Sequence, residues 1–342
     1  MSLISSAIRA VERAPLPDVA TRYGIEWLVG RTRRRLSNPN GGEELQFASG
    51  MDAHPIAEHA DAANEQHYEL PPEFFGLTLG PRRKYSCCYY ETGRETLAEA
   101  EVAALTRTVE NAGLADGQTI LELGCGWGSL TLFMAERFPL AKFIAVSNSA
   151  PQRRYIEGEA AARNLANIEV VTADMNAFAP SSRFDRIVSV EMFEHMSNWR
   201  ELLSRAKTWL TPDGRLFVHV FSHKSSPYRF DHRDDADWIA QHFFTGGIMP
   251  SHGLMNHFPD SFTVEKDWRW SGTHYQQTAI DWLARYDANR ERIDDILRDV
   301  YGPDASLWHR RWRLFYLATA GLFGHAGGSE WGVSHYLLRP VS

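Results

Sequence analysis

Cysteine is scarce: there are three in 342 residues, at Cys87, Cys88 and Cys125. Two are adjacent and none has a CxxC or Cys/His spacing, so neither a disulfide framework nor a structural zinc is specified. That usage fits a reducing, cytoplasmic compartment. Long apolar runs are missing as well. None approaches the roughly 20 residues of a membrane span. The N-terminus MSLISSAIRAVERAPLP is charged where a signal peptide needs an apolar centre. Membrane contact would be transient at most. Nor is there an excess of positive charge. The 36 basic and 43 acidic residues give a net charge of -7, which tells against a nucleic-acid partner. The basic run RTRRRL, Arg31 to Leu36, reads as the solvated face of an N-terminal helix.

Aromatic residues are plentiful, at 12% with 11 Trp. Many lie after residue 226, in DWIAQHFF, DWRW, HYQQTAIDW and LWHRRWRLFY. Core packing accounts for most of them, and an aromatic-walled pocket for an apolar or cationic substrate is the sharper alternative.

The pattern of elements is informative. A helical N-terminal extension over residues 1–80 contains a turn-rich SNPNGG and a helical EHADAANEQHYEL. TLAEAEVAALTRTVENAGL predicts an amphipathic helix, with Thr96 and Glu99 in capping-box spacing. TILELG, FIAVS, IEVVTAD, DRIVSVE and GRLFVHVFS are short, β-branched apolar runs with helical stretches between them. Such strands imply an α/β fold, a mostly parallel sheet with helices on both faces. A core over 81–225 is followed by an aromatic, helical lid over 226–325. EWGVSHYLLRP then predicts a C-terminal strand, 326–342, that completes the core sheet.

Two segments carry chemistry. ILELGCGWGSL sits at the first strand-to-helix crossing, where Gly124, Gly126 and Gly128 let the backbone turn sharply and a ligand approach closely. Ser129 replaces the third glycine or alanine of a dinucleotide fingerprint. SVEMFEHM brings Glu191, Glu194 and His195 to i, i+3 and i+4, one face if the segment is helical. A carboxylate pair beside a histidine suits amine binding and deprotonation.

ELGCGWG resembles the first motif of class I S-adenosylmethionine-dependent methyltransferases, which implies a Rossmann-like core binding S-adenosyl-L-methionine. The resemblance implies that the glycines pass beneath the methionyl part and that Asp174 and Met175 of TADM lie at the adenine. The acid expected on the ribose is replaced by VSNSAPQ, leaving Asn148 and Gln152 as its polar candidates. In order along the chain, KYSCCYYE, FDRIVSVEMFEHM, DWIAQHFFTGGIMPS, GTHYQQTAIDWL and EWGVSHYLLR resemble one branch of these enzymes. It holds the cyclopropane-fatty-acyl-phospholipid synthases and the coclaurine-type N-methyltransferases. The resemblance implies that Tyr85 and Ser86 close over the cofactor.

SVEMFEH divides the branch. Cyclopropane synthases resemble SVGMFEH, with glycine where Glu191 stands, and hold a bicarbonate whose candidate ligands here are Cys87, Glu194, His219 and Tyr275. Coclaurine-type enzymes resemble SVEMFEH. The sequence therefore predicts methyl transfer to the nitrogen of a small amine, with Glu191 as anchor and Glu194–His195 as base. Methylene or methyl transfer to an unsaturated phospholipid chain, with bicarbonate, is the alternative.

Overall fold

The computed structural model describes residues 11–14, 16–36, 42–58, 70–234 and 237–341. The predicted turn SNPNGG and the helix in EHADAANEQHYEL lie almost wholly outside these residues.

Five apolar runs form parallel strands, β1 (Thr119–Leu123), β2 (Lys142–Ser147), β3 (Ile168–Thr172), β4 (Phe184–Val190) and β5 (Leu210–His223). Buried residues at successive positions of β1, β2 and β5 reflect a sheet covered on both faces. Helices Ser129–Arg137, Ala150–Ala162 and Trp199–Trp209 form the crossovers. Two short strands, β6 (Tyr228–Arg229) and β7 (Ile248–Met249), pair with each other. Beyond them come β8 (Phe262–Ser271) and β9 (Trp331–Pro340), and the seven-stranded sheet runs β3-β2-β1-β4-β5-β9-β8.

The C-terminal strand is interior, antiparallel to both β5 and β8. The stretch 226–325 is therefore not wholly helical, because β8 joins the core sheet. DWRW hides this strand from pattern reading. As the outer strand it exposes Glu265, Lys266, Asp267 and Arg269 and buries only Phe262 and Trp270. Charges on an edge strand guard it against pairing with another chain but erase the apolar alternation. Helices Gly272–Ala288, Arg290–Tyr301 and Ala305–Gly324 make up the rest of the lid.

The helix Leu97–Asn111 forms as its sequence predicts. Thr96 Oγ1 accepts from the Glu99 amide, and the Glu99 carboxylate accepts from the Thr96 amide at 2.8 Å. Thr96→Ala should cost about 1 kcal/mol of folding stability by loss of this cap, read as a lowered midpoint in urea. The helix buries Ala100, Ala104, Leu105, Thr108 and Val109, and its last residue, Asn111, reaches β9. RTRRRL ends the helix Asp18–Leu36 with its arginines exposed, and Arg33 pairs with Glu330 at 2.8 Å. Among the described residues no helix is long and apolar enough to cross a membrane.

Candidate functional site

At the carboxyl end of β1 the chain turns through Gly124, Gly126 and Gly128, with φ of 80°, 52° and 76°. A Cβ on Gly124 would lie 2.6 Å from the Met192 side chain, and one on Gly128 2.6 Å from Ile156. Gly126 opens instead onto space with no atom within 4 Å. Around this turn Trp127 Nε1, Ser129 Oγ and Gln152 Nε2 are buried without a protein partner. Unpaired polar atoms beside an open glycine fit a polar ligand laid over the turn. Gln152 is held in place, because its Oε1 accepts from Ser147 Oγ at 2.6 Å. Asn148 is half-buried at the end of β2. Asp174 is exposed and accepts from the Asn176 amide at 2.9 Å, while Met175 is buried. Ser86 is buried and accepts from Lys84 Nζ at 2.5 Å. The ring of Tyr85 packs between Phe75 and Trp282.

The second half of the site lies at the end of β4. The SVEMFEHM segment does not form the helix on which its three polar residues would share a face. Glu191 has φ of 48°, and only Phe193–His195 make a single 3-10 turn. The left-handed residue breaks the continuity, so Glu191 folds back toward β5 rather than along a helix. Its amide donates to His219 O at 2.8 Å. Its carboxylate has three hydrogen-bonding partners. Oε1 accepts from the Cys87 amide at 2.8 Å and lies 3.1 Å from His219 Nε2, and Oε2 accepts from the Tyr275 hydroxyl at 2.6 Å.

Glu194 is the opposite case. It is fully buried, no side chain is hydrogen-bonded to either of its oxygens, and only the backbone amides of Glu194 and Phe221 lie near enough to oppose the effect of burial. Glu194 and His195, expected to act together, are not hydrogen-bonded to each other, since neighbours on a 3-10 turn diverge by about 120°. His195 is half-buried and stacks on Phe244, with ring centroids 5.1 Å apart. From Phe244 the rings of Phe221 and Phe323 continue to Tyr275 at centroid spacings of 5.7, 6.1 and 4.3 Å. The core reading of the aromatic residues holds, and these four rings pack in or against that core. Trp282, Trp312 and Trp331 are core, whereas this chain of rings joins the two ends of the polar cluster.

Burial pushes the Glu191 carboxyl up, against the pull of Lys84, Tyr275 and the Cys87 amide. Burial and then the Glu191 charge hold Glu194 well above the usual carboxylate range. Burial drives His219 and His335 well below the ordinary 6.5, so both rings are neutral. Their depressed values contribute stability that is present above pH 6.5 and lost as pH falls toward the folded values.

Cys87 enters through its backbone. Burial raises its thiol, and Sγ donates to the Cys88 carbonyl. Cys87→Ser should therefore keep most of the wild-type turnover in a steady-state assay, since the amide that meets Glu191 survives.

Sequence reasoning missed Lys84, His335, Asn111 and Thr278. Lys84 is buried, donates to the Cys87 carbonyl at 2.7 Å, and lies near enough to lower Glu191. Thr278 Oγ1 accepts from the Cys88 amide at 3.0 Å. Residues 54–58 also brace the turn that carries Glu194 and His195. Ser197 donates to Ile56 O and to Glu58, and Ala57 pairs with Asn176 through both its amide and its carbonyl.

Residues 57–325 match the family model for mycolic acid cyclopropane synthetase. The chain is 38% identical to (S)-coclaurine N-methyltransferase of Thalictrum flavum subsp. glaucum, over 99% of this chain and 96% of that one. A solved structure of coclaurine N-methyltransferase bound to N-methylheliamine and SAH superposes with a TM-score of 0.95 at 34% identity. It covers 99% of this chain and 100% of that one. Cyclopropane-fatty-acyl-phospholipid synthase of Escherichia coli (strain K12) is 29% identical over 76% of this chain and 63% of its own. The chain belongs to the mycolic acid cyclopropane synthetase family, and within it to the group that includes the coclaurine N-methyltransferases.

Proposed function

We propose that this chain transfers the methyl group of S-adenosyl-L-methionine to the nitrogen of a small amine. It is an S-adenosylmethionine-dependent methyltransferase of the coclaurine N-methyltransferase type, and the carboxylate of Glu191 carries the choice of acceptor. That carboxylate fills the socket made by the Cys87 amide, His219 and Tyr275. These residues are candidate bicarbonate ligands in the cyclopropane-synthase reading, which needs the socket free. Here a carboxylate anchored in the chain takes the place, and Glu194 is left beside it to meet a cation.

When bound, the cofactor supplies an electrophilic methyl on a sulfonium. Gly126, with the polar atoms of Trp127 and Ser129 around it, fits the methionyl part, in keeping with the roles given to Gly124 and Gly128. Asn148 and Gln152 serve the ribose, Asp174 and Met175 the adenine, and Tyr85 and Ser86 the closing side.

An ammonium has no lone pair, so the acceptor must be deprotonated before it can attack. Lys84 offsets the charge of Glu191, which leaves Glu194 to pair with the amine. An arriving cation favours ionisation of Glu194. A buried carboxylate of raised pKa is then a stronger base than one in water, and it takes the ammonium proton inside a site that excludes water. His195, half-buried on Phe244 and not bonded to Glu194, is the alternative acceptor of the amine proton. Glu191, held by three partners, sets the position of the amine relative to the methyl group, and such alignment supplies much of the rate. The two glutamates keep the roles expected from sequence: Glu194 is the base, and Glu191 is the fixed anchor.

The test is a panel of secondary and tertiary amines, tetrahydroisoquinolines among them, incubated with the chain and methyl-labelled cofactor. A product heavier by one methyl, with the label on nitrogen, supports the assignment. No turnover across the panel despite firm cofactor binding would overturn it.

A further inference from the structure

Glu191 stands at one end of a hydrogen-bonded chain that crosses the sheet. His219 Nε2 lies 3.1 Å from Glu191 Oε1, and His219 Nδ1 lies 2.9 Å from His335 Nε2. His335 Nδ1 in turn lies 3.1 Å from Asn111 Nδ2. The histidines are register partners on β5 and β9, both fully buried. Trp270 packs on both rings, at 5.4 and 4.3 Å between centroids, and Phe217 packs on His335.

The chain has a direction. An amide nitrogen only donates, so His335 Nδ1 accepts from Asn111. Neutral His335 then carries its proton on Nε2 and donates to His219 Nδ1. Neutral His219 likewise carries its proton on Nε2 and donates to Glu191. The reverse order would aim a lone pair of His219 at the carboxylate, which is tolerable only if Glu191 is protonated. We infer that Asn111 and His335 are positioning residues for methyl transfer: they fix the proton of His219 on Nε2 and so hold Glu191 as the ionised member of the glutamate pair.

Hydrogen bonding to the charged form favours that form. Lys84, the Tyr275 hydroxyl and the Cys87 thiol and amide also act on Glu191, and Glu194 opposes its ionisation. Lys84 is the remaining charge acting on the two histidines. None of these groups reaches His219 Nδ1; Asn111, through His335, makes that nitrogen the acceptor.

Two measurements test this, and only the second rests on the amine reading. In the full chain with 15N-labelled histidine, the nitrogen shifts of His219 and His335, assigned by difference, should show neutral rings with the proton on Nε2. A proton on Nδ1 of His219 would overturn the inference with no substrate needed. For kinetics, His335→Leu removes the donor to His219, whereas the side-chain amide of His335→Gln can replace it. His335→Leu should move the acid limb of kcat/KM for the amine up by about one pH unit and lower kcat severalfold at pH 7. His335→Gln should keep the wild-type limb, and cofactor affinity should change less than twofold in both. Equal losses in the two variants with an unmoved limb would mean that His335 only packs, and would overturn the proposal. If the wild type methylates no amine, the function reading fails while the nitrogen shifts still decide this one.

Discussion

Glu191→Gly should lower amine methylation by roughly 100-fold in kcat, the cost of a misplaced amine, and bicarbonate should restore part of it. The fold should tolerate the change. Glu191 sits at φ of 48°, where glycine avoids about 1 kcal/mol of backbone strain. Loss of the side chain frees the Cys87 amide, His219 Nε2 and the Tyr275 hydroxyl, three donors converging within 2.6 to 3.1 Å of the former carboxylate. Left buried and unpaired, they cost free energy that a planar anion of the same size can recover. Turnover measured with and without added bicarbonate, and separately with formate, reads the effect. Wild-type turnover should not depend on bicarbonate. A variant as inactive with bicarbonate as without it, while still binding the cofactor, would mean the socket is not an anion site.

Glu194→Gln should lower kcat/KM for the amine by about 100-fold or more, because an amide cannot accept the ammonium proton, and should stabilise the fold at alkaline pH. The sign follows from the raised carboxyl. Above pH 4.5 the unfolded chain releases this proton while the folded chain retains it. Folded-state stability therefore falls as pH rises from 4.5 toward the folded value, and stays lower above it. Glutamine cannot ionise and escapes that loss. Its advantage in thermal midpoint should be absent near pH 4.5 and grow toward pH 8. A variant less stable than wild type by the same margin at both pH values would show that Glu194 is not kept neutral by its surroundings.

The sequence announced the parallel strands because buried β-branched runs look alike wherever they occur, and the glycine loop because its φ values demand glycine. It announced Glu191, His219 and Tyr275 through the resemblance to a known family. The backbone path of SVEMFEHM was not legible. Spacing i, i+3, i+4 describes a helix, whereas one left-handed residue at Glu191 turns its carboxylate back onto β5. His335 was equally hidden. Its meaning depends on lying opposite His219 across β5 and β9, and no local pattern reports a pairing 116 residues apart. Lys84 lay inside a quoted motif, yet burial of its ammonium shows only in three dimensions. The edge strand β8 was lost among the aromatic runs because charged residues broke its alternation.

The central claim is that a tethered carboxylate commits this site to amine nitrogen. A single competition measures it most directly. The full chain is given methyl-labelled S-adenosyl-L-methionine, a tetrahydroisoquinoline amine and vesicles of unsaturated phospholipid, in buffer first depleted of bicarbonate and then supplied with it. Label should appear on the amine nitrogen at the same rate in both buffers, with none in the acyl chains. Label in the acyl chains that rises with bicarbonate, with the amine left unmodified, would contradict the account.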